Sequence, residues 1–124
     1  MLYCLDTNCC ILILAKCSPA LNARVESHAL GDIVLSAIVA AELVRGLDSV
    51  EKDSLARIDR MFRTFPVVPF DEAAARAFPN VPFRRAKFDR LIAAHALALG
   101  ATLVTANPKD FKDVPGLKVE DWTQ

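Results

Sequence analysis

Residues 88–111, FDRLIAAHALALGATLVTANPKDF, set how the rest of the chain is read. Phe88, Leu91, Ile92, Ala96 and Leu99 recur at i, i+3, i+4, i+8 and i+11, the stripe of an amphipathic helix. Gly100 stands where such a helix stops, and Thr102-Leu103-Val104-Thr105 follows as a short β-prone run. Asp89 falls in the first turn of the helix and Asp110 just beyond the strand, so two carboxylates bracket an apolar unit. They are either ends of elements or half of an active site.

Toward the N-terminus, Leu2-Tyr3-Cys4-Leu5 is an apolar run that ends at Asp6-Thr7-Asn8 and gives way to apolar Ile11 to Ala15. A buried strand entering a helix is the natural reading. One of the three polar residues suffices as the cap, which leaves Asp6 over at the strand's end. Ser18-Pro19 opens a second helix, with Leu21 and Val25 inward, that closes near Gly31. Ile33-Val34-Leu35 is a second strand, and Ser36 caps a helix over 37–47. Glu42 is the single charge in the AIVAAELV stretch of that helix. An exposed stripe is its default place, because a carboxylate facing a core is costly unless it is paired or bound to a cation.

Residues 54–65 form an amphipathic helix with Leu55, Ile58, Phe62 and Phe65 inward and Arg57, Asp59, Arg60 and Arg63 outward. Val67-Val68-Pro69-Phe70 is a third strand, and its proline points to an edge position. Asp71 caps a further helix that Pro79 and Pro82 end. A short basic loop over 80–87 follows, and Leu117 to Glu120 makes a last strand. The alternation predicts one domain over 1–124: an α/β three-layer sandwich, with a mostly parallel five-stranded sheet of order 3-2-1-4-5 flanked by helices.

The composition, 53% hydrophobic and 24% charged, is that of an ordinary globular domain. No apolar run reaches the ~18–20 residues of a membrane span, and no basic segment precedes an apolar one at the N-terminus. Neither an anchor nor a signal peptide is expected, and the cytoplasm is the expected location. Lysine plus arginine equals aspartate plus glutamate, so the net charge gives no global pull toward nucleic acid. Basic residues cluster locally instead, at Arg84, Arg85, Lys87 and Arg90, and along one face at Arg57, Arg60 and Arg63. The four cysteines, Cys4, Cys9, Cys10 and Cys17, have neither CxxC spacing nor a neighbouring histidine. They read as small buried thiols rather than zinc ligands. His95, inside the apolar helix, reads as a core residue.

In an open parallel sheet, ligands bind beyond the carboxyl ends of strands, where the strand order reverses. For order 3-2-1-4-5 that point lies between the first and fourth strands. Asp6 follows one of them, and Asn107 and Asp110 follow the other. Glu42 hangs from the helix after the second strand, and Asp89 opens the helix leading into the fourth. Singly, each has a structural explanation: a first-turn acid such as Asp89 is worth ~0.3–1 kcal/mol against the helix dipole, and Asn107 and Asp110 suit a turn. Jointly, four carboxylates at one sheet end repel one another, and a hard divalent cation with oxygen ligands, Mg²⁺ or Mn²⁺, resolves that. Such an ion, or a pair ~4 Å apart, suits phosphodiester hydrolysis. Arg84, Arg85, Lys87 and Lys109 are candidate contacts to RNA phosphates.

At these residues the chain resembles the PIN-domain family, most closely the VapC-type toxins of bacterial toxin–antitoxin pairs. The matching pieces are LDTN at Leu5–Asn8, Ser36 with Glu42-Leu43 and Gly46, FDRLIAAHALALGATLVTAN from Phe88 to Asn107, and Asp110-Phe111 followed by VPGL. The resemblance covers nearly the whole chain in order. It implies an endoribonuclease dependent on Mg²⁺ or Mn²⁺, with Asp6, Glu42 and Asp89 as core ligands. Asp110 matches the acid of the final turn, Asn107 takes a place that is Asp in some relatives, and Thr7, Asn8 and Thr105 support the site. It further implies a homodimer, a cognate antitoxin that covers or enters the site, and a tRNA or rRNA loop as substrate. The segment before Asp89 is shorter than in many such toxins and carries Pro79, Pro82 and FRRAK.

Two other classes gather acids at strand ends. A non-catalytic, receiver-like binding domain wants two adjacent acids early and a Lys-Pro turn late, whereas here Asp6 stands alone and the order is Pro108-Lys109. A phosphatase of the haloacid dehalogenase type wants a DxD pair, and Asn8 replaces its second acid.

Overall fold

The computed structural model describes residues 1–46, 52–85 and 87–124. Strand β1 (Tyr3–Leu5) is the middle of a five-stranded sheet, between β2 (Ile33–Ser36) and β4 (Thr102–Val104). Strand β3 (Val67–Val68) extends the sheet past β2, and β5 (Val119–Glu120) past β4. The order is β3-β2-β1-β4-β5 and every pair is parallel, as the alternation of elements predicts. Every residue of β1, β2 and β4 is buried, which explains why these strands are continuous apolar runs without period-2 alternation. The edge strands are two residues each. Pro69 follows β3 instead of lying within it, so the expected strand over 67–70 is halved by a residue that cannot donate to a ladder.

Helices fill the connections: α1 (Thr7–Ala15), α2 (Pro19–Glu26), α3 (Ala37–Arg45), α4 (Lys52–Thr64), α5 (Glu72–Ala77) and α6 (Lys87–Leu99). Short 3₁₀ turns occupy Phe78–Asn80 and Pro108–Phe111. Helix α3 packs on α1, α4 and α6, and α5 packs on α6. Among the described residues, no helix is long and apolar enough to cross a membrane.

Local signals account for most of the helix ends. Ser18, Ser36 and Asp71 each cap the helix that follows, accepting from the backbone N–H of Leu21, Ile38 and Ala74. Helix α6 ends in a Schellman turn: the Ala101 N–H donates to the Ala96 carbonyl at 2.9 Å, and Gly100 takes φ +65°, where a side chain would strain. The expected end of the third helix at Leu47 lies outside the described residues.

Several expected faces are rotated. In α4 the inward residues are Ile58 and Met61, with Phe65 buried just past its end, while Leu55 is 52% exposed. In α6 the buried arc is Arg90, Ile92, Ala93, Ala94, His95 and Ala96, wider than one stripe because sheet, α3 and α5 all contact the helix. Phe88, counted in the stripe, is 55% exposed. Helix α2 stops at Glu26, well short of Gly31, and the last strand starts at Val119 and not at Leu117. Cys4, Cys9 and Cys10 are buried free thiols as expected, but Cys17 is exposed, in the turn after α1. Burial pushes the Cys4 thiol up to about 12 and raises those of Cys9 and Cys10 as well, so the buried three are inert.

Candidate active site

The chain runs β1 to β2 to β3 on one side of β1 and then returns to place β4 on the other, so the order reverses between β1 and β4. Backbone bonds hold the carboxyl end of β1 to β4, and that of β4 to β5. The Asp6 N–H donates to the Val104 carbonyl at 3.0 Å, and the Thr105 N–H to the Glu120 carbonyl at 3.0 Å. Just beyond these ends is a cavity of about 220 Å³. Asp6, Thr7, Asn8, Glu42, Asp89, Thr105, Asn107, Asp110 and Phe111 line it. All four carboxylates expected to meet do meet, with the amide and hydroxyl residues expected to support them.

Asp6 has two jobs. The sequence leaves it over once the helix is capped; in the structure it is itself the cap of α1, its Oδ1 accepting from the Cys9 N–H at 2.8 Å. It is also 6% exposed, so a buried carboxylate is fixed in place by the helix it starts. Glu42 lies beside buried Val39 and Leu43 and is half-buried, not on the exposed stripe that a lone charge in an apolar helix usually takes. Its Oε1 accepts from the Thr7 hydroxyl at 2.6 Å, a bond joining α1 to α3 across the cavity mouth.

Asp89 shows the electrostatic cost of the arrangement. Burial raises its carboxyl pKa above the ordinary value, and the charges of Glu42, Asp6 and Asp110 raise it further, against the neighbouring Arg90. Among the described residues, no lysine or arginine lines the cavity. The donors are all oxygens: carboxylates, the Asn107 amide and the Thr7 and Thr105 hydroxyls. That set suits a hard divalent cation and does not suit zinc or copper. As placed, no three carboxylate, imidazole or thiol side chains among the described residues form a closed cage. An open cavity with room for water fits Mg²⁺, which keeps much of its hydration and takes few carboxylates directly.

Asp110 is presented by the 3₁₀ turn after β4, and a buried arginine holds that turn. Arg90 is 3% exposed, follows Asp89 on α6, and reaches away from the cavity. Its Nη1 donates to both oxygens of Asp113 at 3.1 Å, its Nη2 donates to the Asp110 backbone carbonyl, and its guanidinium stacks 5.9 Å from the Phe111 ring centroid. Arg90 therefore belongs to the frame of the site and not to the basic surface cluster in which its sequence position puts it. Arg84, a candidate phosphate contact, is turned the same way, its Nε 3.0 Å from Asp113. Arg85 and Lys87 instead line a hollow that they share with Glu42, Phe88 and Asp89. Lys109 is exposed beside Asp110 but does not line the cavity.

Residues 3–117 match the family model described as PIN domain. The chain belongs to the PIN-domain family. Curated relatives of this PIN domain include the tRNA(fMet)-specific endonuclease VapC of Shigella flexneri, 29% identical over 130 residues and 98% of each chain. Ribonuclease VapC2 of Rickettsia felis is 31% identical over 132 residues, again 98% of each. Among solved structures, DNA-bound VapBC from Salmonella typhimurium aligns with a TM-score of 0.87 at 27% identity, covering 98% of this chain and 99% of that one.

Three supports of this PIN domain's site act through pairings that the sequence does not signal. Arg90 and Asp113 are 23 positions apart and gave no pairing signal. The third is Ser36, whose hydroxyl, besides capping α3, lies 2.7 Å from Nδ1 of buried His95 and so ties the Glu42 helix to the Asp89 helix. Burial lowers the His95 pKa, with Asp71 and the Pro69 carbonyl acting the other way. This histidine is a neutral core brace.

Proposed function

We propose that this PIN domain is an endoribonuclease dependent on Mg²⁺ or Mn²⁺ and acts as the toxin of a toxin–antitoxin pair, hydrolysing RNA phosphodiester bonds. The observation that carries the reading is the convergence of Asp6, Glu42, Asp89 and Asp110 on one cavity that, among the described residues, no cationic side chain lines. Its relatives being ribonucleases of the VapC type supports the same activity here.

Asp6, Glu42 and Asp89 would hold the ion, with Asp110 and Asn107 completing the set from the opposite turn. When bound, the ion would polarise the phosphoryl oxygen and acidify the attacking water. The protein's own part is orientation. The α1 cap fixes Asp6, the Thr7 hydroxyl fixes Glu42, and Arg90 fixes the turn that carries Asp110. Unpaired RNA loops, in tRNA or rRNA, are the substrate class, because their backbone is reachable.

A homodimer and a cognate antitoxin complete the proposal. An apolar hollow of about 260 Å³ beside Glu42, lined by Ile11, Leu14, Leu43 and Ile58, suits an amphipathic antitoxin segment that ends at the carboxylates. A receiver-like role is disfavoured because Asp6 stands alone after β1, where a receiver wants two adjacent acids. The test is cleavage of a labelled tRNA and a stem-loop RNA with Mg²⁺ or Mn²⁺, with excess chelator, and with Asp89→Asn. Cleavage that needs the ion and vanishes in the variant is expected; undiminished cleavage in either arm would overturn the reading.

A further inference from the structure

Among the described residues, Phe88 is one of two exposed phenylalanines and the one that stands beside the catalytic cavity. It is 55% exposed although it lies in the first turn of α6, a helix that buries Arg90 and Ile92 through Ala96. It stands with Arg85 and Lys87 around a hollow of about 410 Å³ whose other walls are Glu42 and Asp89. Those two carboxylates also line the catalytic cavity, so the hollow adjoins it. An aromatic face flanked by two cations and leading to a site for phosphodiesters has the chemistry of single-stranded nucleic-acid binding: bases stack on the ring and phosphates meet the charges.

We propose that Phe88 is a stacking platform for one unpaired RNA base, with Arg85 and Lys87 holding the adjoining phosphates. The stack positions the strand so that the next phosphodiester enters the carboxylate cavity. The inference rests on the ribonuclease reading and adds to it a substrate-positioning subsite, which gives the loop preference a physical basis. A base must be free of its own stack to reach Phe88, so loops and unpaired ends are taken and continuous duplex is rejected. Phe88 is one residue from Asp89, and successive helical residues point to adjacent sides, so one strand can engage the ring and the cavity together.

The experiment compares wild type, Phe88→Ala and Phe88→Trp on a stem-loop RNA and on a blunt duplex of the same sequence. Cleavage is followed with Mn²⁺, and binding separately in chelator, with 2-aminopurine in the loop reporting the stack. Losing one base–aromatic stack raises KM and the chelator Kd for the loop by about 5- to 100-fold. The value of kcat stays close to wild type, and Trp restores both constants. Unchanged loop affinity in Phe88→Ala overturns the subsite, as does equal binding of loop and duplex by wild type. A variant that loses self-association by sedimentation while keeping its RNA affinity overturns it too, since the ring is then covered by a second copy. Failure of the wild type to cleave any RNA counts against the ribonuclease reading, and the binding arm still decides the stack.

Discussion

Replacing Arg90 with leucine should loosen the frame of the site from behind. Its guanidinium is 3% exposed, donates to both oxygens of Asp113 at 3.1 Å, and holds the Asp110 carbonyl. Asp113 is partly exposed and keeps Arg84 at 3.0 Å, so the cost is less than for a fully buried pair and is mainly that of the buried guanidinium's charged hydrogen bond to the Asp110 carbonyl, about 2 kcal/mol. At about 4 °C per kcal/mol for a domain of this size, the melting temperature falls by roughly 8 °C. The effect depends on pH with a definite sign. Burial acts to raise the Asp113 carboxyl, but the hydrogen bonds and charge of Arg90, with the charge of Arg84, outweigh it and hold the group below the usual carboxylate range. That stability is present above the unfolded carboxylate pKa and is lost as pH falls through the folded one, so the penalty shrinks in acid. Thermal melts of Arg90→Leu, Asp113→Asn and the double variant at pH 7 and in acid measure this. The double variant should recover part of the loss, because the stranded charge is gone. A shift under about 3 °C, or a double variant equal to the sum of the singles, would refute the reasoning. At 20 °C, where Arg90→Leu is still folded, a displaced Asp110 turn should lower kcat roughly 10- to 100-fold.

Asp89→Asn should melt higher than wild type at pH 7 in chelator. Its folded carboxyl pKa is raised by burial and by the charges of Glu42, Asp6 and Asp110, so the wild type is most stable below the unfolded pKa and loses that stability as pH rises through the folded one. Melts across pH 4 to 8 should show this decline in wild type and its absence in the variant. Thr7→Val, which removes the 2.6 Å bond to Glu42, should change stability by only about 1 kcal/mol in urea titrations but raise the Mn²⁺ concentration needed for half-maximal cleavage. Ser36→Ala removes the α3 cap and the hydroxyl 2.7 Å from buried His95, and should cost about 2 kcal/mol in the same titrations.

The sheet order and the converging acids were legible because each rests on position along the chain. Continuous apolar runs such as Ile33-Val34-Leu35 mark buried parallel strands, and order 3-2-1-4-5 then brings residues at strand ends to one place. What was not legible depends on which side of a helix meets a neighbour. Leu55, expected inward, is 52% exposed, and Met61, which the sequence pattern does not place, is buried. Charge gave the wrong default in both directions. Glu42 is drawn inward by a hydroxyl from another helix, and Arg90 is drawn inward by an acid 23 residues away. No periodicity encodes such long-range pairs. Asp6 was read as spare because one cap suffices, whereas one carboxylate here serves as both cap and cavity wall.

Calorimetric titration of Mn²⁺ into the metal-free protein tests the four-acid site most directly, with wild type beside Asp6→Asn, Glu42→Gln, Asp89→Asn and Asp110→Asn. Asparagine at position 6 still caps α1, so that variant stays folded and isolates the charge. Saturable binding by wild type is predicted, lost in the variants at 6, 42 and 89 and weakened at 110, with melting temperatures no lower than wild type for Asp89→Asn. Undiminished Mn²⁺ binding by Asp89→Asn or Asp6→Asn would contradict it.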